Sequence, residues 1–231
     1  MKVRHIPYVI DPTANRFVYY ENYWKAVALE LLLKHTNPQG RKVLDYGSGR
    51  GETLKIFSEA GFAVSGTDLD PECVRLSSAF GPSTLLNLAD PVGQFGRKSV
   101  NVVTCFHVLE HVDNPKETLN NLREIATEYV LIAVPNLRTL QRMFTRKILL
   151  EIINEGHLQS WDHWHLLNLA ERHCGLKLVE WASDTTILPL LSEVSYRLLG
   201  QRLTVALETG LFRTMFPMHS ISLIGLFRCV K

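Results

Sequence analysis

The order of apolar and polar positions along the 231-residue chain predicts alternating strands and helices. Short apolar runs, typical of strands that are covered on both faces, alternate with segments of helical spacing. The predicted strands span residues 42–45, 62–67, 83–88, 100–106, 129–134, 177–181 and 221–227. The predicted helices span residues 22–36, 52–60, 70–80, 114–125 and 163–173. Such alternation requires right-handed crossovers, so the pattern predicts an α/β fold with a parallel, doubly wound sheet.

Residues 186–218 interrupt this alternation, because they are helical in pattern, rich in apolar residues and longer than an ordinary loop. Charged residues recur along this segment as they do on an amphipathic helix with one solvent-exposed face. These residues are Glu193, Arg197, Arg202, Glu208 and Arg213. We interpret the segment as a helical insertion that caps the substrate or joins two copies in a homodimer, in preference to a membrane contact.

The whole chain is predicted to form a single domain, 1–231. We divide it into an N-terminal lid and helix (1–39), a ligand-binding core (40–182), the helical cap (186–218) and the last strand (219–231). Aromatic residues near the N-terminus, Trp24 among them, either form a lid over the ligand or belong to the ordinary packing of the core.

Composition narrows the classes of protein to consider. A formal net charge of +2, with 46% apolar and 21% charged residues, is typical of a globular protein and gives no indication of a nucleic-acid partner. The four cysteines are far apart and form no CxxC pair, which favours reduced thiols over disulfides or a zinc site. No uncharged apolar stretch reaches the ~18 residues of a membrane span, and residues 1–11 lack the apolar core of a signal peptide. We therefore expect a soluble, cytoplasmic protein without stable membrane insertion.

The segment 43–54 is the most informative part of the chain. An apolar run ends in Asp45, three glycines follow at alternate positions, and a helical pattern begins. Glycine adopts left-handed backbone angles and lets a ligand approach the main chain, so a turn between strand and helix forms the floor of a nucleotide or nucleoside site. The dinucleotide fingerprint G-x-G-x-x-G has a different spacing. A second acid, Asp68, fits ribose recognition in either class of protein.

Four stretches resemble class I S-adenosylmethionine-dependent methyltransferases. Residues 43–51 resemble the acid-and-glycine motif of that family, and residues 64–68 resemble its second motif, an acid that closes the second strand. Residues 102–112 resemble the fourth-strand motif of its small-molecule branch, related to quinone-precursor methyltransferases, and residues 156–175 resemble that branch's helix before the sixth strand. The resemblance covers about residues 40–182. It implies a Rossmann-like, mostly parallel sheet of seven strands whose last strand is antiparallel.

The resemblance also implies the cofactor S-adenosyl-L-methionine and the product S-adenosyl-L-homocysteine. Gly47, Ser48 and Gly49 would lie along its methionine and ribose portions. Asp45 would fix the loop or receive the methionine ammonium through water. Asp68 would accept both ribose hydroxyls, because a carboxylate offers two acceptor oxygens.

Further contacts are expected at the adenine and at the methyl group. Leu69 would pack on the adenine ring. Asp90 either receives the adenine amino group or only begins an Asp-Pro turn. Phe106 and His107 stand where the fourth strand ends, beside the expected methyl group.

Methyl transfer requires alignment of the acceptor with the sulfonium and, for a hydroxyl acceptor, removal of a proton. His111 is the predicted base, since histidine accepts a proton near neutral pH. Other candidates for the base are Glu110 and a pair of Glu110 and His111 that is supported by a metal ion. In the remaining alternative, this pair has no catalytic role and only stabilises the loop through hydrogen bonds. In relatives the pair helps hold magnesium, but the sequence identifies no further ligands here, and we predict no metal site.

We expect His157 and Trp161 to line the acceptor pocket. His163 and His165 are two residues apart, so on a helix they point to different sides and do not chelate a metal. The function indicated is methyl transfer to a small molecule, and the resemblance favours oxygen as the methylated atom. The alternatives are a protein that binds S-adenosylmethionine without turnover, as a sensor or scaffold, and a nicotinamide-dependent oxidoreductase.

Overall fold

A computed structural model describes residues 16–140 and 156–230 of the chain. Its strands are β1 (Lys42–Tyr46), β2 (Ala63–Asp68), β3 (Ser83–Leu85), β4 (Val100–Phe106), β5 (Ala126–Pro135), β6 (Leu176–Ser183) and β7 (Ser222–Cys229). Its helices are α1 (Arg16–His35), α2 (Glu52–Glu59), α3 (Pro71–Ser77), α4 (Pro91–Phe95), α5 (Pro115–Ile125), α6 (His163–Leu167) and α7 (Pro189–Ala206). Single π-helical turns continue α6 over Asn168–His173 and α7 over Leu207–Phe212.

The seven strands form one sheet in the order β3-β2-β1-β4-β5-β7-β6. The strands β1 to β5 pair in parallel, and β7 runs antiparallel between β5 and β6. The predicted Rossmann-like, doubly wound sheet with an antiparallel last strand is thus confirmed. The carboxyl ends of β1, β2 and β4 lie side by side at one edge, where such folds bind their ligands.

Both faces of the sheet are covered at its centre, which explains why β4 and β5 read as nearly continuous apolar runs. Because successive side chains of a strand point to opposite faces, Leu44 and Val103 pack with α5 while Val43 and Val102 pack with α1 and α2. All four side chains are at most 1% exposed.

The region between β3 and β4 differs from the prediction. The strand β3 ends at Leu85 rather than at residue 88, and the side chain of Asn87 then accepts a hydrogen bond from the Ala89 amide at 3.1 Å, which turns the chain. The short helix α4 follows, although the apolar pattern did not predict it. Asp90 caps this helix by accepting a hydrogen bond from the Gly93 amide at 2.7 Å. A helix this short, with a glycine inside it, has too few apolar side chains to show a helical period in the sequence.

The predicted helical insertion before the last strand is present, and Glu193, Arg197 and Arg202 are exposed as expected, but the side that packs inward is largely polar rather than apolar. The inward side chains of α7 and its continuation include Ser192, Thr204 and Glu208, each at most 1% exposed. Large apolar side chains face outward. They are Leu190, Leu191, Val194, Leu198, Leu199, Leu203, Leu211 and Met215, all at least 50% exposed.

The expectation that Glu208 lies on the solvent-exposed face of the helix is therefore wrong. Its carboxylate accepts a hydrogen bond from the hydroxyl of Tyr20 on α1. The non-helical backbone of Gly200, with φ 76° and ψ 177°, breaks α7, so the helical spacing read from residue 193 does not continue to residue 208.

Residues 1–15 of the predicted lid lie outside the described residues, as do residues 141–155. In the two described ranges, no helix combines the length and the apolar character needed to cross a bilayer.

Candidate active site

The turn between β1 and α2 is tied to the end of β2 by its backbone. The amides of Gly47 and Ser48 donate to the carbonyl of Thr67 at 2.8 and 2.9 Å. The amide of Gly49 donates to Oδ2 of Asp68 at 2.8 Å. Gly47 and Gly49 have φ angles of 81° and 51°, in the left-handed region that glycine adopts without strain. We call residues 47–49 the cofactor turn.

The three glycines of this segment have different surroundings. No heavy atom lies within 4 Å of a Cβ placed on Gly49, so the turn faces open space there. A Cβ on Gly47 would overlap Cγ2 of Val108, in the loop after β4. A Cβ on Gly51 would lie 2.7 Å from Cα of Ser77, so Gly51 serves close packing against α3. A ligand can therefore approach the main chain at Gly49.

Asp68 is engaged by the protein but keeps free acceptor capacity. Its Oδ2 accepts from the Gly49 amide, and its Oδ1 accepts from the Asp70 amide at 3.0 Å. A carboxylate accepts about four hydrogen bonds, so about two remain for ligand hydroxyls. The neighbouring Leu69 is 56% exposed at the edge of the site. The roles predicted for Asp68 at ribose, and for Leu69 and Asp90 at adenine, stay predictions.

Asp45 is a buried carboxyl group at the end of β1, with 1% of its surface exposed. The hydroxyl of Thr104, its register partner on β4, donates to Oδ1 at 2.6 Å. Burial raises the pKa of Asp45 to about 7, against the lowering effects of Thr104 and of the charge on Lys25. A cationic ligand group nearby would favour the ionised form.

The chain turns sharply at the end of β4. His107 has a φ of 54°, uncommon for a residue with a side chain, and its amide donates to the carbonyl of Ala133 at 2.8 Å. Trp24 of α1 packs edge-on against Phe106 with ring centroids 5.2 Å apart, and its ring lies 4.8 Å from that of His107. The helix α1 thus closes one side of the site, a contact that the spacing of aromatic residues alone did not identify.

Four predicted site residues meet in the loop after β4. Nδ1 of His107 lies 3.1 Å from Oε1 of Glu110, which is 1% exposed. Nδ1 of His111 lies 2.8 Å from the carbonyl oxygen of Gly156, and the rings of His111 and His157 meet edge-on at 4.8 Å. One ligand atom each of Glu110, His111 and His157 lies within 4.8 Å of the others. We call these three residues the histidine–glutamate cluster.

The remaining residues of the segment 157–165 point elsewhere. Trp161 is 7% exposed and packs in the apolar core, and its carbonyl accepts from the Leu137 amide at 2.7 Å. The ring of His163 contacts Trp181, and burial lowers its pKa to about 4. His165 is exposed and pairs with Asp162 at 2.9 Å. His163 and His165 therefore point in different directions, as their spacing predicts.

The histidine–glutamate cluster does not fit magnesium. Mg²⁺ is held by oxygen atoms in near-octahedral geometry, whereas this cluster offers one carboxylate and two imidazoles. The sequence analysis predicted His157 at the acceptor pocket but did not predict its contact with Glu110 and His111, because His157 lies far along the chain and reaches the loop only through the fold.

Comparisons with known proteins agree with this geometry. The sequence profile of a family described as "Methyltransferase domain" matches residues 16–181, most of the chain. A ubiquinone biosynthesis O-methyltransferase of Bordetella avium (strain 197N) is 31% identical over 87 residues, which are 35% of this chain and 36% of that relative. The chain spans less than half the length of the curated relatives that it matches.

Solved structures share the fold at low identity. A SAM-dependent methyltransferase from Archaeoglobus fulgidus has a TM-score of 0.63 and 18% identity, covering 93% of this chain and 100% of that one. Magnesium protoporphyrin IX methyltransferase from Synechocystis PCC 6803, solved with bound SAH, has a TM-score of 0.62 and 14% identity, covering 97% and 92%. The profile match over most of the chain leads to one conclusion: the chain belongs to the family described as methyltransferase domain, and it has the fold of these solved methyltransferases.

Proposed function

We propose that this enzyme transfers the methyl group of S-adenosylmethionine to an oxygen atom of a small organic acceptor. The observation that carries the proposal is the position of Glu110 and His111 in the loop that packs, through Val108, against Gly47 of the cofactor turn, with His157 beside them. Proton-accepting groups thus stand beside the place where the methyl group is expected. The name of the curated relatives, ubiquinone biosynthesis O-methyltransferases, supports oxygen as the methylated atom.

The cofactor would lie over Gly49, where the turn faces open space. Its ribose hydroxyls would use the acceptor capacity that remains on Asp68, and Leu69 would cover the adenine. The ammonium of the methionine portion would favour the ionised form of Asp45. Each of these contacts uses a group that the fold already holds in place, so little conformational entropy is lost on binding.

The acceptor would lie between Phe106, at the end of β4, and the rings of His111 and His157. Phe106 is held by Trp24 and offers an apolar wall, while the two imidazoles offer polar contacts. Trp161 would support the far wall through the backbone segment that leads to His157. This arrangement suits a small, flat or partly apolar molecule that carries a hydroxyl group.

His111 would remove the proton of the acceptor hydroxyl. A carbonyl oxygen only accepts hydrogen bonds, so Nδ1 of His111 must donate to the carbonyl of Gly156. In the neutral ring Nε2 then carries the lone pair and is the basic atom. Glu110, in contact with His107, would hold the loop in this arrangement.

The test is formation of S-adenosylhomocysteine, followed by mass spectrometry, with a panel of hydroxyl, amine and carbon acceptors matched in size. We expect turnover with hydroxyl acceptors. We also expect His111→Ala to slow that turnover by about 10²–10⁴-fold, the usual contribution of a general base, at unchanged cofactor affinity in calorimetry.

His165→Ala is the matched control, because this exposed histidine lies outside the cluster. Turnover confined to amine acceptors would refute the oxygen assignment. Tight cofactor binding without turnover on any acceptor would support the sensor or scaffold alternative.

A further inference from the structure

We propose that Lys25, on α1, binds the carboxylate of the methionine portion of S-adenosylmethionine. This inference rests on the proposed function, in which Asp45 meets the ammonium of that portion and the carboxylate has no partner yet. Both charges of an amino acid are attached to one carbon atom, so a carboxylate brought close to the buried Asp45 needs a cation beside it. Lys25 supplies this cation.

The side chain of Lys25 reaches from α1 to the segment that bears the cofactor turn. Its Nζ lies 4.0 Å from Oε2 of Glu52, the first residue of α2, which follows the turn. Burial raises the pKa of Asp45 to about 7, while the hydrogen bond from Thr104 and the charge on Lys25 lower it. The ammonium group of Lys25 is therefore within electrostatic reach of both ends of the segment 45–52.

The fold holds Lys25 in this position. Its side chain is only 15% exposed, which is unusual for lysine. Nζ lies 5.5 Å from the ring centroid of Trp24 and donates to Oδ1 of Asn22 at 3.4 Å. Trp24 is itself packed edge-on against Phe106. A cation held in this way loses little conformational entropy when it binds an anion.

The ion pair between Lys25 and Glu52 is easily replaced by a carboxylate of the cofactor. The distance of 4.0 Å is at the outer limit of an ion pair, and the side chain of Glu52 is 39% exposed. A pair of this kind contributes little free energy, because water screens it. The cofactor carboxylate can therefore take the place of Glu52 at Nζ.

Arg50 is another cation near the turn, but it lies on a different side. It is exposed, and its charge acts on Glu72 and Cys73 of α3. The helix α3 begins shortly after Asp68, the proposed ribose ligand. Arg50 is therefore on the nucleoside side of the turn, whereas Lys25 is on the methionine side.

The experiment compares two ligands by isothermal calorimetry, S-adenosylmethionine and decarboxylated S-adenosylmethionine, which keeps the amino group and lacks the carboxylate. Lys25→Met should weaken binding of S-adenosylmethionine by about 10–100-fold, the usual loss for a hydrogen bond between charged groups. The same variant should bind the decarboxylated ligand as the unmodified chain does, within about twofold. Lys25→Arg keeps the charge and should restore most of the affinity for S-adenosylmethionine.

Lys34→Met is the matched control, because Lys34 lies on the same helix, is exposed and pairs with Glu180. It should change neither affinity. Circular dichroism checks that each variant is folded, and binding of the decarboxylated ligand checks that the rest of the site is intact.

An equal loss for both ligands would overturn the proposal, because Lys25 would then act on the structure or on Asp45 and not on the carboxylate. Unchanged binding of S-adenosylmethionine by Lys25→Met would overturn it as well, and would leave the proposed function standing. Failure of the unmodified chain to bind S-adenosylmethionine would refute the proposed function itself.

Discussion

The cofactor turn and the helix α7 distribute their side chains in opposite ways. Behind the turn, α2 buries Leu54, Ile56 and Phe57, and the polar backbone of the turn bonds to the end of β2. In α7 the buried side chains include Ser192 and Thr204, while its leucines face outward.

The difference shows where local rules hold. At the turn, the glycines, the acids and the apolar run all favour the same structure, and the predicted elements there agree with the observed ones. In α7 the inward polar groups depend on partners from distant segments, such as Tyr20 for Glu208. Matched substitutions in the two regions test this contrast directly.

The largest difference is expected between two carboxylates. Asp68→Ala should weaken cofactor binding by roughly 10²–10⁴-fold, because two hydrogen bonds to a charged group contribute about 3–6 kcal/mol together. Glu193→Ala removes an exposed carboxylate of α7 that pairs with Arg197, and should leave the affinity unchanged. Isothermal calorimetry with S-adenosylmethionine measures both. Normal binding by the Asp68 variant would refute the ribose assignment.

The second difference concerns one substitution made at two leucines. Leu54→Ala should lower the free energy of unfolding by about 2–5 kcal/mol, because Leu54 is 1% exposed in the core. Leu198→Ala should change it by less than about 0.5 kcal/mol, because Leu198 is 76% exposed. Urea unfolding followed by circular dichroism compares them. A loss of similar size at both positions would mean that the outward face of α7 is covered in solution.

Such a cover would point to the predicted homodimer. In an antiparallel pair of α7 helices centred near residue 195, Glu193 of each copy would meet the partner's Arg197. Sedimentation of the Leu198 variant beside the unmodified chain distinguishes a second copy from an intramolecular contact.

A third difference is expected between two glycines with left-handed φ angles. Gly47→Ala and Gly200→Ala both impose backbone strain, since their φ angles are 81° and 76°. Only at Gly47 does the new Cβ overlap a neighbour, Val108, whereas no heavy atom lies within 4 Å at Gly200. Gly47→Ala should therefore cost about 1–3 kcal/mol more in thermal unfolding. An equal loss of stability in both variants would mean that the loop after β4 moves away from the new Cβ without cost.

The smallest effect is a pH dependence of cofactor affinity through Asp45. Its pKa of about 7 in the free protein means that the carboxyl is largely protonated below neutral pH. A cationic cofactor favours the ionised form and lowers this pKa on binding. The affinity should thus be full above pH 7 and fall by up to about tenfold per pH unit below it. Calorimetry from pH 5 to 8 measures this, and Asp45→Asn should remove the slope.

The sequence predicted the strands β1, β4 and β5 because they carry apolar residues on both faces. It also predicted His107, Glu110 and His111, which are close in sequence. The sequence did not predict the helix α4 or the contact of His157 with Glu110 and His111. A hydrogen bond such as that from Thr104 to Asp45 depends on strand register, and the approach of His157 depends on contacts across the fold. The periodicity of apolar residues indicates neither the register of paired strands nor the contacts between distant segments.

The contact between Gly47 and Val108 leaves no free space between the cofactor turn and the loop that bears Glu110 and His111. Displacement of either side is transmitted to the other, since packed side chains yield little. If the proposed cofactor and acceptor bind on these two sides, occupancy of one side would alter the affinity of the other, and thermodynamic reciprocity requires the same factor in both directions. Two ligands of this protein would consequently change each other's affinity equally, through a contact that depends on the absence of a side chain at Gly47.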